Sequence, residues 1–132
     1  MRVSPPRQVV WSSNNGAVSA VTDFVDLVTQ LPEVTRADHA RYTAWKVDGH
    51  TFGYHWEDTR TVGLKQPLAE QLALVAERPE VFEVQFTMGA FGWVVAHLEF
   101  VERDELAELA FEAWRLTAPA RLVAERADRL PR

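Results

Sequence analysis

Between Ala17 and Leu31 the apolar residues Val18, Val21, Phe24, Val25, Val28 and Leu31 return every three or four positions, the repeat of a helix with one buried stripe. Asn14 or Asn15 stands where a cap belongs, and Pro32 closes the pattern because proline cannot continue a helix. The period then changes. In "TAWKVDGHTFGYHWED" the pair Asp48-Gly49 marks a two-residue hairpin turn, since both positions of a type I′ turn need positive φ. A regular ladder from that turn sets Val47 opposite His50, Trp45 opposite Phe52 and Thr43 opposite Tyr54. Trp45, Phe52, Tyr54 and Trp56 then share the buried face, and Tyr42, Ala44, Lys46, Thr51, Gly53 and His55 share the other. After the turn at Glu57-Asp58, "RTVGLK" gives a third strand with Val62 and Leu64 on one face and Thr61, Gly63 and Lys65 on the other. Pro67 opens a second helix through Leu68, Leu72 and Val75 that ends before Pro79. Phe82, Val84 and Phe86 alternate with Glu83 and Gln85 in a fourth strand, and "MGAFG" turns the chain into a fifth, "WVVAHLEF". A last helix starts near Glu102 or Arg103, carries Leu106, Leu109, Ala110 and Ala113 on one stripe with Phe111 and Trp114 beside it, and stops before Pro119.

The predicted order is therefore α-β(3)-α-β(2)-α. Strands joined by hairpins give an antiparallel sheet, and helices with single apolar faces must bury them on one side of it. The expected class is α+β, a two-layer α/β sandwich. At 132 residues and 47% hydrophobic composition the chain has enough apolar surface for one core. We expect a flexible extension over residues 1–16, where two prolines and "SSNNG" interrupt any periodicity, one domain over 17–126, and a tail over 127–132.

Charge narrows the partners. Fourteen Lys and Arg against nineteen Asp and Glu leave a net charge of -5, the wrong sign for a surface that attracts phosphate everywhere. From Glu99 to Glu112 six acids face one base, Arg103, whereas from Arg115 to Arg132 five arginines face Glu125 and Asp128. The chain contains no cysteine, which removes disulfides and thiolate metal or redox sites and fits a reducing compartment. No apolar stretch has signal-peptide or membrane-span length, the most apolar run being broken by His97 and Glu99. A cytoplasmic protein without membrane contact is the expectation.

Candidate chemistry is sparse. After Ser19 there is neither Ser nor Cys, so a Ser or Cys triad has no nucleophile. His50 and His55, five positions apart on a strand, point to opposite faces and have no acid at ligand spacing, so no metal site is expected. His55 is expected on the exposed face, while His39 and His97 stand alone as structural histidines. Glu57-Asp58 and Asp104-Glu105 are acid pairs of a kind that turns and helix starts carry for ordinary reasons. "GAFG" lacks the ending of a phosphate loop and the spacing of a dinucleotide fingerprint. No catalytic residue and no cofactor is expected. What remains is the polar sheet face, where Tyr42, Lys46, Thr51, His55, Thr61 and Lys65 surround Gly53 and Gly63. Such a face suits a nucleic-acid backbone, a partner strand or a second copy, or it is simply solvated.

The ordered motifs resemble the MmcQ/YjbR family of small bacterial proteins over roughly Ala17 to Arg126. "LPEV" (Leu31 to Val34) resembles that family's opening motif, "VDGHTFG" (Val47 to Gly53) its first hairpin and "LK" (Leu64, Lys65) the end of its third strand. "GWVVAHL" (Gly92 to Leu98) is similar to its last strand and "DELAELAFEAWRLTAP" (Asp104 to Pro119) to its closing helix. The resemblance implies a YjbR-like fold, similar to that of secretion chaperones, and a DNA-binding role. Positions that are often basic in the family are His50, Phe91 and Ala120 here, while Lys65, Arg115 and Arg121 keep their charge. The leading expectation is a non-enzymatic DNA-binding module, with Lys46, Lys65, Arg115 and Arg121 on phosphate and Tyr42 or His55 beside sugar or base. The alternatives are a protein-interaction or homodimer module using the open face or edge of the sheet, and a small-molecule binding or resistance protein in which Trp45, Tyr54, Trp56 and Trp93 line a pocket.

Overall fold

A computed structural model describes residues 18–127, and side chains up to 125. The expected extension over 1–16 lies outside the described residues, as does all but the first residue of the tail. Helix α1 (Val21–Thr29) leads into β1 (Val34–Asp38), β2 (Thr43–Val47), β3 (His50–Trp56) and β4 (Thr61–Pro67). Helix α2 (Leu68–Glu77) is followed by β5 (Phe82–Met88), β6 (Phe91–His97), a 3-10 turn at Leu98–Phe100, α3 (Arg103–Arg115) and α4 (Ala120–Ala127). All strand pairs are antiparallel, in the order β1-β2-β3-β4-β6-β5. The sheet thus has six strands, one more than the periodicity predicted. The addition is β1, whose half-exposed, charged sequence "VTRAD" carries no apolar alternation. The helix count rises by α4, beyond the proline where the pattern was expected to stop.

The helices lie on one side of the sheet. Helix α3 packs on β3 and β4, α2 on β4, β5 and β6, and α1 on α3 and β1. Between them Trp45, Val47, Phe52, Val62, Leu64, Phe82 and Val94 meet Phe24, Val28, Leu74, Leu106, Ala110 and Trp114 in one core. Each fully buried side chain of this size contributes about 1.5–3 kcal/mol of transfer free energy. Polar groups caught inside are satisfied. Gln66 donates its amide N–H to Leu109 O at 3.0 Å, Trp114 donates to Pro32 O at 3.1 Å, and Gln71 donates to both Phe86 O and Trp93 O at 3.0 Å. Helix α1 starts at Ala20 rather than at Asn14 or Asn15, with the Ala20 N–H donating to Asp23 Oδ2 at 2.7 Å.

The Asp48-Gly49 turn forms as expected, with φ of 53° and 79°, and Val47 does face His50. The register then slips. Lys46 pairs with Thr51, but Trp45 pairs with Gly53, so Phe52 is an extra residue in β3. Beyond such a bulge the side-chain faces exchange. Gly53 and His55 join Trp45 on the helix side, while Tyr54 and Trp56 turn to the open side with Ala44. Two expectations are overturned by this slip. Trp45, Phe52, Tyr54 and Trp56 do not share a face, and His55 is not exposed but 2% accessible. A second slip between Val84 and Phe86 makes Gln85 extra in β5 and moves Phe86 to the open side, opposite Trp93.

Candidate binding face and end cavity

Because both bulges send rings outward, the side of the sheet that no helix covers among the described residues carries a row of aromatic side chains. Tyr42 and Tyr54 lie 5.8 Å apart between ring centroids, and Tyr54 contacts both Trp56, stacked at 5.8 Å, and Trp93 at 5.5 Å. Phe86 stacks on Trp93 at 5.2 Å, and His39 stacks on Tyr42 at 4.5 Å, extending the row across five strands' width. Except for Trp93 these rings are half-buried or, for His39, exposed. Gly63, facing Tyr54 in the ladder, leaves a hollow in the row. The Gln85 amide fills it, with Oε1 2.3 Å from where a Gly63 Cβ would stand and the Trp56 ring edge 3.2 Å from the same point. That Oε1 is buried and has no hydrogen-bond partner among the described residues.

Two lysines flank the row. Lys46 and Lys65 both rise from the open side, and neither has a carboxylate partner among the described residues. Lys65 Nζ sits 4.2 Å from the Phe91 ring centroid, and burial pushes its pKa below the usual lysine range. Among the strand residues of this side Glu83 is the one acid, and it pairs with His97. The remaining described acids stand on helices, turns and the opposite side, so the net charge of -5 does not represent this surface.

The six residues expected from sequence separate into two groups. Tyr42, Lys46 and Lys65 are together on the open side. Arg115 and Arg121 stand on α3 and α4 in the helix layer, held by Glu112 at 2.6 Å and Glu33 at 3.4 Å. His55 is on the helix side, against Phe24. Tyr54, Trp56 and Trp93, weighed as pocket residues with Trp45, are separated from it by the thickness of the sheet. Phe86 was expected on the buried face with Phe82 and Val84, and the bulge at Gln85 brings it to the open side. The signal for the β3 slip was Gly53 itself, because an isolated glycine inside a strand pattern marks a bulge. Nothing comparable marks Gln85.

A cavity of about 260 Å³ opens at one end of the sheet, where the β1–β2 loop meets the β3–β4 turn. His55 and Thr43 form its inner part, with His39, Arg41, Tyr42, Glu57 and Asp58 around it. The Trp45 indole N–H donates to His55 Nδ1 at 3.0 Å. An indole can only donate, so Nδ1 keeps its lone pair and the ring proton resides on Nε2. Burial holds the His55 pKa below the ordinary imidazole value, against an upward pull from Glu57 and a further lowering by Arg36. Behind it Asp38 accepts from Arg36 at 2.8 Å and from Thr43 Oγ1 at 2.9 Å, and these bonds lower its pKa.

The architecture defines a small α+β domain, an antiparallel sheet with helices on one side and an aromatic face on the other that no helix covers among the described residues. A model of the YjbR family matches residues 29–116, well over half of the sequence, and the chain belongs to that family. The fold is also that of the crystal structure of Deinococcus radiodurans protein DR2400, a DUF419 domain. The TM-score is 0.67 over 89% of this chain and 92% of that one, at 19% identity. Such identity speaks for the fold alone. No curated protein matches the chain.

Proposed function

We propose that the chain is a non-enzymatic binding module for nucleic acid, and that it holds single strands across the open face of its sheet. The observation that carries this reading is the row from Tyr42 through Tyr54, Trp56 and Trp93 to Phe86, flanked by Lys46 and Lys65 on the side that no helix covers among the described residues. Unstacked bases find π-faces there, each stack being worth about 1–3 kcal/mol, and the lysines meet the phosphates between them. A duplex hides its base faces and offers mainly charge, for which two lysines are few. The DNA-binding role implied by the family resemblance is thereby narrowed to single strands, Arg115 and Arg121 drop out of the contact set, and His55 lies off the aromatic row. The test is an anisotropy titration of labelled single- and double-stranded oligonucleotides at two salt concentrations. Single strands should bind more tightly, and Lys65→Ala should reduce the salt slope by about 0.7. Absence of binding at tens of micromolar in low salt rules the reading out.

A second reading rests on the edge strand β5, where Val84 and Met88 are 50% and 69% exposed. An apolar edge invites pairing with the same edge of another copy. Light scattering that gives a dimer, made monomeric by Val84→Lys, supports it.

A further inference from the structure

The end cavity is a separate site from the aromatic row, although Tyr42 belongs to both. Its inner wall is His55, 2% exposed, whose Nδ1 is occupied by the Trp45 N–H. The remaining Nε2–H has no hydrogen-bond partner among the described residues, and the nearest carboxylate oxygen, Glu57 Oε2, is 3.9 Å away. That separation is too long for a hydrogen bond. A fixed donor and a charged acceptor therefore stand side by side, each without a hydrogen-bond partner among the described residues, while Tyr42, with His39 stacked on it, lines the same cavity. The lining charges are Arg41 against Glu57 and Asp58, which disfavours an anion. A neutral planar ring with a donor beside an acceptor on its edge matches all three features.

We propose that this cavity takes one nucleobase, read on its Watson–Crick edge by the His55 Nε2–H and the Glu57 carboxylate and stacked against Tyr42. The base's acceptor faces His55 and its N–H faces Glu57, an arrangement that protein sites use for splayed-out bases. The volume of about 260 Å³ admits one base with its sugar at the mouth. The proposal deepens the single-strand reading, because Tyr42 joins the cavity to the row and a strand on the sheet can place one base there. It also stands without that reading, since a free nucleoside has the same edge.

The test uses free nucleosides and the full chain, with the His55 ring nitrogens followed by NMR. On addition of nucleoside the Nε2–H resonance should move downfield while Nδ1 keeps its acceptor shift, and Glu57→Ala, an exposed change, should weaken the titration about tenfold or more. In the strand assay an abasic residue walked along a bound oligonucleotide should weaken binding most at one position, and that dependence should vanish in Glu57→Ala. Strand binding with no response at His55 to nucleoside or strand overturns the cavity and leaves the row intact. A nucleoside response at His55 without strand binding supports the cavity and overturns the row. No response in either assay overturns both.

Discussion

The two faces of one sheet follow opposite rules. On the helix side the core side chains are dry, and the buried polar groups of Gln66, Gln71 and Trp45 have partners. On the open side large rings lean on one another, and among the described residues no helix lies above them and the buried Gln85 Oε1 has no partner. A buried acceptor without a bond costs about 1–3 kcal/mol. The first face is built for stability, and the second tolerates a local cost.

The sharpest way to break this contrast is truncation on either side. Trp114→Ala, at 0% exposure, should cost about 3–5 kcal/mol in urea unfolding, whereas Trp56→Ala should cost about 1 kcal/mol and act on strand binding instead. Equal losses of stability would mean that the open rings are core in all but position. A subtler pair uses glycine. A Cβ at Gly92 would stand 2.4–2.6 Å from the Gln71 side chain, which is tied to two carbonyls, so Gly92→Ala should destabilise by about 1–3 kcal/mol. At Gly63 the obstacle is the end of the unbonded Gln85 side chain, so Gly63→Ala should cost less than about 1 kcal/mol while displacing Gln85 and Trp56. A larger loss at Gly63 than at Gly92 reverses the assignment of the two faces.

His55 gives a pH test of the helix side. Its pKa is lowered on folding, so between the folded value and the unfolded value near 6.5 the unfolded chain binds more protons. Stability is complete above about pH 6.5 and falls as pH drops through that window, by at most about 1.4 kcal/mol per unit for this one group. Urea midpoints at pH 7.5 and 5.5 should differ in the parent and differ less in His55→Gln. The smallest effect is expected at Arg121→Ala, which removes a surface pair worth about 0.2–1 kcal/mol and should leave strand binding unchanged.

Much of the architecture was legible from local rules. Pro32, Pro67 and Pro79, the Asp48-Gly49 turn and the stripe of α3 placed helices, hairpins and the two-layer class because each constrains the backbone where it stands. The strand β1 was not, since an edge strand with charged residues has no hydrophobic alternation to read. The faces of β3 were misassigned for one physical reason. Alternation carries face identity only while the register is regular, and a single extra residue at Phe52 exchanged His55 with Tyr54 and Trp56. Lys46 and Lys65, on β2 and β4, and Tyr42, just before β2, were placed together on the open face. Arg115 and Arg121 came from local charge density and from the family resemblance, and charge density says nothing about which layer a helix occupies.

The most direct measurement is a chemical-shift map of the labelled protein titrated with a short single-stranded oligonucleotide. Shifts should concentrate at Lys46, Tyr54, Trp56, Lys65, Trp93 and Phe86, with α3 and α4 silent. Shifts centred on Arg115 and Arg121, or no shifts at saturating strand, would contradict the single-strand reading.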